Sequence, residues 1–195
     1  MAERWPECAR NIKGVILDMC GVLYDSGGGG GGGGGGVPIK GSVEAVRRLK
    51  SSNLKLRFCT NETQATREKF VLKLRRMGFD IDVREVFSPA PAVVSILKER
   101  NLRPHLLVHD DLLPEFDGVD QTDPNCVVIG DAADNFSYRK MNDAFHVLIS
   151  LDRPLLFSMG KGPSDERHPT VTADGYVDNL SCAVDTILKH QHTQT

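Results

Sequence analysis

Gly14-Val-Ile-Leu-Asp18-Met-Cys-Gly21-Val-Leu-Tyr-Asp25 is the stretch on which the reading of this 195-residue chain turns. Val15, Ile16 and Leu17 form a short apolar run that fits a strand buried on both faces of a parallel sheet. The run ends in Asp18, with Gly21 three residues on. Open α/β sheets hold ligands at the carboxyl ends of their strands, so an acid there stands where chemistry would sit. The plain alternative is a strand-ending Asp that shapes a turn.

The following segments repeat the same architecture. Every residue from Gly27 to Gly36 is glycine. Such a run has nothing to pack and much backbone entropy to lose, so it reads as a loop. It is either a flap beside the strand end or a tolerated low-complexity expansion. Ser42 is placed to cap a helix with Val43, Val46 and Leu49 on one face and Ala45 near its edge. Leu54, Leu56 and Phe58 alternate as a second strand ending in Cys59-Thr60-Asn61. Residues 63–77 read as a helix with Phe70, Leu74 and Met77 inward, stopped by Gly78. This β-α-β-α order predicts an α/β fold on a parallel sheet. A second module opens near Ser88-Pro89. It has a helix over 92–100, strands over 105–109, 126–129 and 155–158, and a helix over 138–149. Asp174 to Val177 and an apolar helix over 180–188 close the chain. The expected division is 1–87, 88–160 and 161–195.

Composition narrows the function classes. Lys plus Arg number 24 and Asp plus Glu 26, a net charge of −2, which offers nothing to a nucleic acid or an acidic membrane surface. No apolar run approaches the ~20 residues of a membrane span. The N-terminal residues lack the apolar centre of a secretory signal. The cysteines Cys8, Cys20, Cys59, Cys126 and Cys182 are odd in number and have neither paired nor zinc spacing. Free thiols in a reducing cytosol account for them.

The run Asp-x-x-Gly-Val-Leu-Tyr-Asp at 18–25 continues as Asp25-Ser26-Gly27, and Phe58-Cys59-Thr60-Asn61-Glu62 follows later. Together they resemble the haloacid-dehalogenase-like phosphatases over most of residues 12–160 and again over about 163–190. Within that family the likeness is to a branch acting on P–N bonds of phosphohistidine and phospholysine and on inorganic pyrophosphate. The resemblance implies an incomplete Rossmann-like core with an inserted α/β cap, and reaction through an aspartyl-phosphate. It makes Asp18 the nucleophile, with Met19, Cys20, Thr60 and Asn61 beside the phosphoryl group. Thr60 and Asn61 would bind its oxygens with a hydroxyl and backbone N–H groups near the next helix start. Mg²⁺ is the implied cofactor, held by Asp18 and the backbone carbonyl of Cys20. The implied partners are phosphorylated small molecules, pyrophosphate or a phosphohistidine or phospholysine protein, and a second copy in a homodimer. The implied location is the cytoplasm and also the nucleus.

The chain departs from that pattern in two places. Cys20 stands where most of the family has a second Asp as general acid and base. A thiol is a poor ligand for a hard cation and a weak donor, and as a small apolar residue it needs no catalytic role. The family's later Lys motif and Gly-Asp-Asp metal motif have no counterpart in proper context. Gly160-Lys161-Gly162-Pro163 matches the end of a cap strand, and Asp165-Glu166 already resembles the family's last segment. The stretch between Lys161 and Asp174 is too short for even one βαβ unit of ~30 residues. The chain therefore reads as a shortened form. Gly130-Asp131-Ala132-Ala133-Asp134 has the opening of a metal motif, but Phe136-Ser137-Tyr138 places it in the cap. His105, His109, Asp110 and Asp111 do not share one strand face. Two readings stand: a weakened phosphatase, or a remnant that acts by binding. A generic nucleotide binder is a third and weaker one, for the chain has no Gly-x-Gly-x-x-Gly opening a helix.

Overall fold

The computed structural model describes residues 11–25, 35–160 and 179–191. Cys8, Ser26, the glycine run as far as Gly34, Lys161 and Asp174 to Val177 lie outside the described residues. The chain folds as β1 (Gly14–Asp18), β2 (Tyr24–Asp25), β3 (Val37–Pro38), α1 (Ser42–Lys50), β4 (Lys55–Cys59), α2 (Arg67–Arg76) and β5 (Val86–Phe87). It continues as α3 (Pro89–Glu99), β6 (Pro104–Leu107), β7 (Cys126–Ile129), α4 (Tyr138–Ile149), β8 (Leu156–Ser158) and α5 (Leu180–Gln191). Two three-stranded parallel sheets result, ordered β1-β4-β5 and β6-β7-β8. The α/β expectation is met. The third strand of the first sheet, β5, was not expected. Its two residues are too few for a periodicity signal.

The first sheet is packed on one face. Leu17, Leu56, Phe58 and Val86 join Val46 and Leu49 of α1, Phe70 and Leu74 of α2, and Val184 and Ile187 of α5 in one buried cluster. Burying each such side chain contributes about 1.5–3 kcal/mol. The opposite face carries Gly14, Ile16, Asp18, Lys55, Arg57, Cys59 and Phe87, all exposed. Ile16 is 73% exposed and Phe87 59%. Val15 to Leu17 is therefore not buried on both faces as its composition predicts. No described element covers Ile16, and among the described residues β1 pairs with β4 alone. The second sheet differs. Cys126 and Val128 of β7 pack with α3, while Val127 packs with Ala144 of α4 on the other face, and all three are fully buried.

Several local expectations are corrected. Ser42 does not cap α1. Gly41, at φ +83°, occupies the cap position, and the Ser42 hydroxyl donates to the carbonyls of Leu23 and Ile39, each at 2.7 Å. Ser42 thereby ties α1 to the turn after β1. Helix α2 starts at Arg67 rather than at 63, because Thr66 caps it by accepting from the Lys69 N–H at 3.3 Å. Helix α3 starts at Pro89, whose fixed φ suits a first turn. Strand β6 stops at Leu107 because His109 already caps the following 3₁₀ turn, Asp110–Phe116.

Candidate active site

Parallel pairing builds the site. Asp18 stands in register with Cys59 at the carboxyl ends of β1 and β4. The turn after β1 therefore lies beside Thr60 and Asn61. In that turn the Met19 carbonyl accepts the N–H groups of Val22, Leu23 and Tyr24, at 3.3, 2.8 and 3.4 Å. The Cys20 carbonyl is outside that set. Met19 itself is fully buried, and its N–H donates to Asp18 Oδ1 at 2.8 Å. Asp18 is exposed, and its second oxygen is directed to no described residue. Cys20 is exposed too. Close to this turn, β2 and β3 pair antiparallel as Tyr24 with Pro38 and Asp25 with Val37.

Thr60 and Asn61 differ in their availability. The Thr60 N–H donates to the Phe87 carbonyl at 3.0 Å, so it is not free for a phosphoryl oxygen. The buried Thr60 hydroxyl accepts from the Glu62 N–H at 3.1 Å and keeps its own proton to donate. Asn61 is exposed. Neither residue is at a helix start, since α2 begins at Arg67. The expected N–H donation at a helix start is thus replaced by a turn, residues 60–66, in which Thr60, Thr63, Gln64 and Thr66 are all buried.

Tyr24 belongs to this neighbourhood, although the sequence showed it only as a letter of a pattern. Burial pushes its phenol up to about 12, and the nearby Cys20, Glu62 and Asp18 side chains push the same way. It stays a neutral O–H at physiological pH. Lys73 lies 4.9 Å above its ring, and Phe70 packs against it. An aromatic stop is thereby fixed under the Asp18 turn.

The other polar groups weighed as metal ligands are engaged elsewhere. His109 Nδ1 accepts from the Asp111 N–H, Asp110 accepts from Asn135 Nδ2, and Asp111 pairs with Lys69. Asp131 accepts from Gln64. Among the described residues no three His, Cys, Asp or Glu side chains gather as a metal site. An open cleft of about 620 Å³ between Arg47, Arg48, Asn53, Asp185 and Lys189 does not include Asp18, Thr60 or Asn61.

Comparison with known proteins agrees with this geometry. Residues 15–132, more than half of the chain, match the family described as haloacid dehalogenase-like hydrolase. This chain belongs to that family. A phospholysine phosphohistidine inorganic pyrophosphate phosphatase from Danio rerio is 70% identical over 156 residues, 80% of this chain and 56% of the relative. The match thus spans little more than half of that relative's length. The protein of the same name from Xenopus laevis is 42% identical over 266 residues, covering 94% of this chain and 97% of the relative. A 266-residue alignment against 195 residues leaves at least 71 positions of the frog protein without a counterpart here. Both proteins are covered nearly end to end, so the gap is internal. Among solved structures, a 4-nitrophenylphosphatase from Thermotoga maritima superposes with a TM-score of 0.64 at 23% identity, over 94% of this chain and 66% of that one. A glycerol phosphate phosphatase from Mycobacterium tuberculosis, solved in complex with magnesium, gives 0.63 at 16% identity, over 94% and 53%. These two likenesses establish the shared fold.

Proposed function

We propose that this chain is a phosphatase of the haloacid dehalogenase-like family whose substrates are pyrophosphate and phosphohistidine or phospholysine groups, with activity lowered by its internal shortening. The observation that carries the reading is the register of Asp18 with Cys59, which puts a free carboxylate oxygen next to the Thr60–Asn61 turn. In this scheme the core is 1–87 with 161–195, and 88–160 is a cap. The free Asp18 oxygen attacks phosphorus, the bond to the leaving oxygen or nitrogen breaks, and an aspartyl-phosphate forms for water to hydrolyse. The Thr60 hydroxyl and the exposed Asn61 amide donate to phosphoryl oxygens. The Met19 N–H holds the other Asp18 oxygen, so the attacking oxygen is oriented before substrate arrives. Cys20 lines the site and supplies its carbonyl.

The residues present fit a magnesium ion in part. The Asp18 carboxylate and the Cys20 carbonyl, which the turn leaves unused, are two adjacent oxygen donors. Mg²⁺ commonly takes one or two carboxylates and completes its shell with water and phosphate. Bound there, the ion would neutralise phosphoryl charge. The test is phosphate release from pyrophosphate by the purified chain with Mg²⁺. Release above a protein-free blank is expected. No release, together with no binding of orthovanadate, would overturn the reading.

A second reading, a binding partner with little catalysis, is favoured by the face of the first sheet that no described element covers. Both readings include a homodimer. Tyr138, Met141, Phe145 and Ile149 are exposed at three- and four-residue spacing along α4, next to exposed Leu155 and Leu156. Such a stripe is larger than a lone surface apolar residue and suits a second copy. Sedimentation equilibrium is expected to give a dimer that Phe145→Glu converts to monomer. A wild-type monomer at tens of micromolar would refute it. Cys20, Cys59, Cys126 and Cys182 are free thiols, and no helix among the described residues is long and apolar enough to cross a membrane. The free thiols support the proposed cytoplasmic or nuclear location.

A further inference from the structure

The turn that carries Thr60 and Asn61 is held from outside its own module. Gln64 Nε2 donates to Asp131 Oδ2 at 2.7 Å, and the Asp131 N–H donates to Thr63 Oγ1 at 3.0 Å. Asp131 Oδ1 also accepts from the Ala133 N–H at 3.3 Å, which fixes the carboxylate. Thr63 and Gln64 are buried while Asp131 is exposed, so these bonds are shielded from water on one side. Gly130 lies against the turn in ordinary contact. A Cβ there would lie 2.8 Å from Met159 Cε and 3.5 Å from Thr63 Cβ. At the other end of the turn, Glu115 Oε1 accepts the Arg67 N–H at 2.8 Å. The Glu115 side chain is only 8% exposed and sits at the start of α2, where a negative charge is favoured. Asp131 and Glu115 of the second module therefore hold the turn at its middle, Thr63–Gln64, and where it enters α2.

We propose that Asp131 is a positioning residue for the phosphoryl-binding turn, with Glu115 as its counterpart, although neither touches the phosphoryl group. This rests on the phosphatase reading above. The Gly130-Asp131 pair, whose sequence suggests a metal motif, serves instead as a clasp between the modules. Without it, residues 60–66 must be ordered by each substrate that binds. Apparent affinity then falls by the fraction of turn that is pre-ordered, while the bound complex reacts as before. A residue that touched the transition state would lower kcat instead.

The test compares wild type with Asp131→Ala, and with Gln64→Leu, which removes the partner amide at similar volume. In both variants KM for pyrophosphate and Kd for orthovanadate are expected to rise together roughly tenfold, with kcat within about twofold. Amide exchange at 64–67 is expected to rise roughly tenfold, while amides of β7 keep their protection. A fall in kcat at constant KM would overturn the positioning role, as would unchanged exchange at 64–67. Loss of protection throughout β7 in both variants would also overturn it, by showing a structural role alone. If wild type neither turns over pyrophosphate nor binds orthovanadate, the phosphatase reading fails. Exchange then still decides whether Asp131 holds the turn.

Discussion

Pyrophosphate turnover by this chain is expected to lie at least ~10³-fold below that of the Xenopus laevis protein at matched Mg²⁺ and substrate. The reason is chemical. In the proposed scheme the Asp18 end of β1 supplies a nucleophile, a hydroxyl at Thr60 and an amide at Asn61, without the Lys motif of the family. One carboxylate and one carbonyl are a thin set for Mg²⁺. Each lost charge-stabilising group typically costs ~10²–10³ in rate, and losses within one site do not add. Asp18→Asn is expected to bring the remaining turnover down to the protein-free blank, with far-ultraviolet circular dichroism unchanged because Asp18 is exposed. Turnover within about tenfold of the frog protein would require another set of ligands. Activity surviving in Asp18→Asn would remove the nucleophile assignment itself.

What the sequence made legible was local. Strand Cys126–Ile129 and helix Tyr138–Ile149 were read at their observed bounds, because an apolar run and a 3.6-residue period are properties of contiguous residues. Asp18 at the end of its strand was legible for the same reason. The start of α2 was not. Thr63, Gln64 and Thr66 look compatible with a helix until their partners are known, and the partner of Thr63 and Gln64 is Asp131, far along the chain. Polar pairs at such separation leave no periodic trace. Tyr24 was missed in the same way, since its place in the site follows from burial beside Cys20, Glu62 and Asp18. Ile16 is the instructive failure. Its apolar neighbours predict a covered strand, but burial is decided by elements packed on it from elsewhere. The family match and the internal gap of at least 71 positions indicate a sequence shaped for a larger sheet than the three strands its described residues form.

That mismatch has a measurable consequence. Strands β4 and β7 are both central in three-stranded parallel sheets, but β5 pairs only with Phe58 and Cys59, whereas β6 and β8 both pair with residues 127–129. They also differ in what covers them. One face of β4 carries exposed Lys55, Arg57 and Cys59, whereas Cys126, Val127 and Val128 of β7 are fully buried. Opening β7 breaks two packed layers, and opening β4 breaks one. Amides of residues 56–58 are therefore expected to exchange roughly a hundredfold faster than those of 127–129, about 2.7 kcal/mol less in opening free energy. The outer edge of β1, which no described strand pairs, adds a second effect. It carries exposed Ile16, and an apolar edge without a partner strand recruits other chains. At high protein concentration, sedimentation velocity is expected to show association beyond the α4 dimer that grows with concentration, and the same concentration-driven association in Phe145→Glu, which is monomeric at low concentration because it lacks the α4 contact. Replacing Ile16 with Lys, which blunts the edge with charge, is expected to suppress it. Equal protection of 56–58 and 127–129 in a monodisperse sample would contradict the argument. It would mean that one packed face stabilises the first sheet as well as two stabilise the second.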